Sequence, residues 1–232
     1  ESVESAIKAV KQYFWTLKEH KRLKIIAREH SYHGATFAAM TVTGIPGWKL
    51  CFGKGIPGVR YVPHPYCFRC TWNSKGIHGR ECHLECIKQT KAIIESEGPD
   101  TIAAFIAEPV SMSAGTAIPP DEYWPQINSL CKRYGIKLIL DEMITGFGRT
   151  GKWFGFEKFG IDPDIIVMGK GMSGGYSPIS AMVVSGEIAS VLDSIGFVHG
   201  YTYSGHPISC AAAIENIAIL ERENLIDSVE GK

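Results

Sequence analysis

Three apolar runs each end on a charged side chain: Ile102 to Ala107 meets Glu108, Leu138 to Leu140 meets Asp141, and Ile165 to Met168 passes Gly169 into Lys170. Open α/β sheets bind ligands beyond the carboxyl ends of their strands, so two acids and one amine at such ends form a chemically usable set. Partial burial lowers a lysine's pKa, because the charged form loses more solvation than the neutral one, and a neutral amine attacks aldehydes to form a Schiff base. Lys170, flanked by glycine on both sides, is read here as such a partly buried nucleophile. An acid such as Asp141 can hold a heterocyclic nitrogen protonated and make the ring an electron sink for a carbanion. Taken singly, each residue also reads as a turn residue reaching water. Glycines crowd the loops from Thr145 to Arg149 and from Gly169 to Gly175, where backbone can approach a ligand closely.

The elements that must position these groups follow from periodicity. Val3, Ala6, Ile7, Val10, Phe14 and Leu17 recur at helical spacing and mark an amphipathic helix in need of a partner surface, with only Ser2 to cap it. Leu23 to Ala27 suits a strand, followed by a polar turn from Arg28 to Gly34 and a short helix over Ala35 to Thr41. From Gly44 to Gly79 the chain is rich in Gly, Pro, Trp and Cys without periodicity, which reads as a long surface excursion. A helix through Leu84, Ile87 and Ile94 stops at Gly98 and Pro99. Strands and helices then alternate: strand to Glu108, helix from Asp121 to Tyr134, strand from Ile136 to Asp141, strands to Met168 and over Ile179 to Val184, and a last helix opened by Pro207. This alternation predicts an α/β fold with a mostly parallel sheet covered by helices on both faces.

The chain has 232 residues and a formal net charge of zero, which suits a large domain and gives no electrostatic footprint for nucleic acid or an anionic membrane. No segment approaches the ~20 apolar residues that span a bilayer, and the charged, helix-patterned start is unlike a signal peptide. Seven cysteines, an odd number, point to free thiols in a reducing, cytoplasmic compartment more than to a disulfide framework.

The segment from Leu138 to Gly155, followed by Pro163 to Gly171, resembles the signature of class III aminotransferases, pyridoxal-phosphate enzymes of fold type I that include the omega-aminotransferases. Tyr32-His-Gly34, Phe105-Ile-Ala-Glu-Pro109 and Gly200-Tyr-Thr-Tyr-Ser-Gly-His-Pro207 are similar to further family blocks, so the resemblance covers nearly the whole chain. It implies a ping-pong transfer of an amino group from an amine or amino acid to a keto acid. Lys170 becomes the Schiff-base lysine and proton shuttle, and Asp141 the partner of the pyridine nitrogen. Tyr32 and Met143, the latter where the family usually has valine, lie against the two ring faces. His33 belongs to the cofactor contacts, and Glu108 sits behind the ring or near the substrate. Thr202 reaches across a homodimer interface to the neighbouring subunit's cofactor phosphate. Family members are about twice this length, so residues 1–232 are expected to be part of the cofactor-binding large domain. The phosphate-binding Gly-Ser turn, the small domain and its carboxylate-binding arginine lie outside it, and this stretch alone is expected to bind pyridoxal phosphate weakly and to turn over poorly. Phospho-lyases, aminomutases and decarboxylases are similar in sequence and stand as alternatives.

A Cys-rich insertion at about 63–86 departs from that pattern. Cys67 and Cys70, with Cys82 and Cys86, are spaced like a structural zinc site, with His78 between the pairs and His83 beside them. Helical spacing is expected to put Cys82 and Cys86 one turn apart on one face. Free thiols or a local disulfide are the favoured readings, so no metal ligand is assigned; a non-catalytic Cys-rich zinc or interaction module is the competing function.

Overall fold

Alternate residues along the central strands face two different cores. In the computed structural model, which describes residues 1–72 and 82–229, Ile25, Ala27, Ala104 and Ile106 join one apolar cluster. Their neighbours Ile26, Phe105 and Ala107 join another on the opposite face. That period of two, with both faces apolar, is the mark of a sheet buried between helical layers. The elements in order are α1 (Ser2–Thr16), β1 (Lys24–Arg28), α2 (Phe37–Val42), β2 (Val59–Val62), α3 (Glu85–Glu97), β3 (Ile102–Ala107) and α4 (Tyr123–Tyr134). They continue with β4 (Lys137–Asp141), α5 (Gly155–Phe159), β5 (Ile165–Gly169), β6 (Ser180–Val184), α6 (Gly186–Asp193) and α7 (Pro207–Arg222).

The sheet runs β2-β1-β3-β4-β5-β6. Its first five strands are parallel, and β6 closes the far edge antiparallel to β5. Helices α1, α2 and α6 cover one face, and α3 and α4 the other. The expected α/β architecture is therefore the observed one. Ala107 pairs with Leu140 and Asp141 with Val167, so Glu108, Asp141 and Lys170 all emerge at the carboxyl edge.

Four local readings need correction. The excursion after Gly44 contains β2, a four-residue edge strand paired with β1; its Val-Arg-Tyr-Val is too short to show a period, and only Val62 of it is buried. Arg28 belongs to β1 rather than to the turn after it, because Arg28 pairs with Val62. Cys82 and Cys86 do not share a helical face, since α3 starts at Glu85 and the preceding Leu84 has a left-handed backbone (φ +51°). Ser2 lies inside α1 and does not cap it; Glu1 holds the cap position.

Candidate active site

The buried acids of the site are joined by a chain of polar contacts across three strands. Asp141, last residue of β4, is 3% exposed, and its Oδ2 lies 2.8 Å from Nδ1 of the buried His33. Its Oδ1 accepts from the Met143 amide at 3.1 Å. The His33 amide donates to Thr43 Oγ1 at 2.9 Å, which fixes the loop that carries the ring. On the far side of that ring, Nε2 lies 3.9 Å from Glu108 Oε2. Glu108 is buried and is held by donors: Tyr32 N at 3.1 Å, Ser111 Oγ at 3.0 Å and Arg28 Nη2 at 3.0 Å. Burial by itself raises a carboxyl pKa, yet His33, Arg28 and these hydrogen bonds together hold Glu108 down to about 2.

Lys170 follows β5 with a left-handed backbone, φ +44°. It lines a cleft of about 590 Å³ with Met143, Phe147, Leu225 and Ile226. The expectation that it is partly buried is not met: Lys170 is exposed in this chain, because it begins a short turn at the sheet edge beside an open cleft. Gly169 before it has a specific reason to be glycine. A Cβ there would lie 2.8 Å from Met143 Sδ and 3.2 Å from the Ile179 carbonyl, so a side chain would push against both Met143 and the Ile179 backbone.

Met143 and Lys170 thus share one cleft, while His33, Glu108 and Asp141 share one buried network. Tyr32 joins that network through its amide, and its ring stands edge-on to Trp48 at 5.4 Å between centroids. Thr202 is not brought to these groups; it is exposed and lines a separate cleft of about 1160 Å³ with His199, Ser177 and the start of α1.

Two residues of the site were not singled out from the sequence. Glu142, fully buried, accepts from the Gly155 amide at 2.9 Å, the Phe156 amide at 2.8 Å and the Thr145 hydroxyl. It ties the glycine-rich loop back to β4; burial raises its pKa against the pull of those donors. Arg28 is the other, and a charged residue closing an apolar run was the available signal, the same one that marked Glu108.

The four cysteines of the insertion converge on one small pocket of about 240 Å³, together with His64 and His83. All seven cysteines of the chain are free. Among the described residues no group of three or more His, Cys, Asp or Glu is placed to hold a metal ion. His78 lies outside the described residues. Burial, reinforced by the neighbouring sulfurs, pushes the Cys86 thiol up to about 12 and raises that of Cys67.

A six-stranded, mostly parallel sheet covered by helices on both faces is the fold shared with pyridoxal-phosphate transferases of fold type I. The family model for Aminotransferase class-III matches residues 1–232, and the chain belongs to that family. It is 38% identical over 229 residues to a diaminobutyrate–2-oxoglutarate transaminase of Halomonas elongata, covering 96% of this chain and 48% of that protein. Its fold matches a thermostable (S)-enantioselective omega-transaminase from Thermomicrobium roseum with a TM-score of 0.92 and 43% identity, over 97% of this chain and 50% of the other. An amine transaminase from an uncultivated Pseudomonas species, solved in its pyridoxal-phosphate-bound form, also matches with a TM-score of 0.92 at 36% identity, over 97% of this chain and 52% of that one. The chain spans about half the length of the relatives it matches.

Proposed function

We propose that this chain is the cofactor-binding large domain of a pyridoxal-phosphate-dependent aminotransferase that moves an amino group from an amine or amino acid to a keto acid. The observation that carries the reading is the pairing of Lys170 in an open cleft with a buried, tethered Asp141 one strand away. The residues fit the cofactor. Each oxygen of Asp141 has one protein donor and retains lone-pair capacity for a ring N–H, and the absence of a side chain at Gly169 leaves room for Met143 in the cleft that Lys170 lines. Pyridoxal phosphate supplies an aldehyde that condenses with amines and a ring that stores an electron pair when its nitrogen is protonated.

Lys170 supplies the amine that holds the aldehyde and later carries a proton between carbon atoms of substrate and cofactor. Asp141 holds the proton on the ring nitrogen, and His33 fixes the orientation of its carboxylate. Tyr32 and Met143 exclude water from the two ring faces. Of the three similar proteins named above, one is named for diaminobutyrate and the others for no particular donor, so the donor is left at the level of an amine or amino acid. Supplied with such a donor and no keto acid, the cofactor-loaded protein is expected to release about one equivalent of carbonyl product per site while losing its visible absorbance. Elimination or decarboxylation, recognised by release of phosphate, ammonia or carbon dioxide over many turnovers, would refute transfer.

The protein is further proposed to act as a homodimer. Helix α7 is rich in apolar residues but buries only Ala213, and leaves Ile208 71% and Ile214 68% exposed. Tyr203, beside Thr202, is exposed as well. A two-fold contact over this face would cover that surface and carry Thr202 toward the partner's cofactor phosphate. Burying an isoleucine is worth about 1.5–3 kcal/mol, counted twice in a symmetric interface. Ile214→Glu is therefore expected to weaken dimerisation by roughly two to four orders of magnitude in Kd, read by analytical ultracentrifugation; an unchanged dimer would place the interface elsewhere. No helix among the described residues is long and apolar enough to cross a membrane, and seven free thiols fit a reducing compartment such as the cytoplasm.

A further inference from the structure

Arg28 is the one arginine among the largest fully buried side chains. A guanidinium sealed from water is costly unless it is paired, and the neighbouring strand ends show that the fold does not demand one: Val62 and Ala107, which flank β1 at this level, are apolar. Its carboxylate partner is Glu108, reached by Nη2 at 3.0 Å, with the Glu108 carbonyl at 2.5 Å. Nε and Nη1 find no partner among the described residues. Trp124 and Tyr123 supply aromatic rings 5.6 and 6.0 Å from the guanidinium carbon, which shield the charge from solvent and favour it electrostatically.

From that pair a run of alternating groups leads to the site. Glu108 faces the Nε2 side of His33, whose ring nitrogen there has no hydrogen-bond partner among the described residues; the Nδ1 side meets Asp141. We propose that Arg28 is a positioning residue for the cofactor site: by holding Glu108 as a carboxylate behind His33, it fixes the charge and orientation of Asp141. This inference rests on the reading of Asp141 as the partner of the ring nitrogen.

The groups facing Glu108 are Arg28 from β1, the Tyr32 amide and His33 from the loop after β1, Ser111 from its own loop and, beyond His33, Asp141 from β4. His64, in the segment after β2, also feels this carboxylate. Burial first, and then the charge of Arg28, push His64 down to about 3, so Arg28 is the cation that faces Glu108 in the native site. The folded-state value of Glu108 is depressed to about 2. Its stabilising contribution is thus complete above the unfolded carboxyl value of about 4 and is lost as pH falls through about 2. Without Arg28, burial is opposed by less, and the same loss occurs at higher pH.

The test follows the visible absorbance of bound pyridoxal phosphate against pH. In the wild type the band is expected to show no Glu108-linked acid transition from pH 8 down to about 4. In Arg28→Gln a transition is expected at about pH 3–5, a rise of roughly 1–3 units from about 2 for a carboxyl that loses a close cation. Arg28→Lys is expected to reverse part of it, and Glu108→Gln, which removes the titrating group, to abolish it in the Arg28→Gln background. An Arg28→Gln spectrum with the wild-type pH dependence overturns the inference, as does a transition that persists when Glu108 is also replaced. If Arg28→Gln does not fold, Arg28→Lys carries the same decision, because its weaker, single-point contact must still move the transition upward. A wild-type enzyme that also carries the phosphate-binding turn and small domain, and still shows no cofactor band, overturns the functional reading itself and is distinguishable from either result.

Discussion

Replacing Lys170 with alanine is expected to abolish covalent retention of pyridoxal phosphate and to lower amino transfer by on the order of 10⁴-fold or more. The proposed mechanism asks two things of this one side chain, an amine that holds the aldehyde and a base that moves the proton. General acid–base catalysis alone contributes about 10²–10⁴-fold, and loss of the covalent attachment adds to it. Two other partly buried lysines are placed badly to substitute. Lys49 is committed to the Thr43 carbonyl and to Tyr61 on the β2 side of the sheet, and Lys137 to Asp164 and Glu187 at the opposite, amino-terminal end of β4. The substitution adds little backbone strain, since φ +44° is as unfavourable for lysine as for alanine. The measurement is mass spectrometry after borohydride reduction, which fixes an attached cofactor to its lysine. Cofactor still attached in Lys170→Ala, at any residue, would sink the assignment.

Asp141→Asn is expected to cost about 10²–10³-fold in rate, the scale seen when one preorganised electrostatic group is removed from an active site, while the fold is kept. Asparagine is nearly isosteric and its oxygen still accepts from the Met143 amide, but it brings no charge to hold a proton on the ring nitrogen. Its amide also offers donors where His33 Nδ1 now meets an acceptor, so the histidine must change its donor role or turn away. The loss should fall on the rate of the half-reaction more than on cofactor affinity, because the negative charge matters most when electron density accumulates in the ring. Rapid-mixing spectroscopy separates the two: a variant that loads cofactor as the wild type does and reacts at the wild-type rate contradicts the role given to Asp141.

These two residues were legible because each follows an apolar run, and a run that stops on a charge marks the place where a buried strand meets solvent. The same signal stood at Arg28, after Ile25, Ile26 and Ala27, but a turn of polar residues begins directly afterwards, and nothing local separates the last strand residue from the first turn residue. Edge strand β2 is illegible in the sequence for a related reason. Four residues with a single buried position carry no period, and its identity as a strand comes from pairing with β1. The exposure of Lys170 was also beyond local reading, since flanking glycines and an apolar run describe the strand behind it and say nothing about what covers it in front.

The alternation of strands and helices, the apolar faces of β1, β3 and β4, and an amine and two acids at one sheet edge are all legible locally, because burial periodicity is written in adjacent residues. Tertiary structure alone decided how those groups are joined. Arg28 meets Glu108 across 80 positions of chain and His33 meets Asp141 across 108, and both contacts exist because the order β2-β1-β3-β4-β5-β6 sets distant strands side by side. Strand order is fixed by the packing of whole helices against whole faces, a property that no short stretch of residues carries.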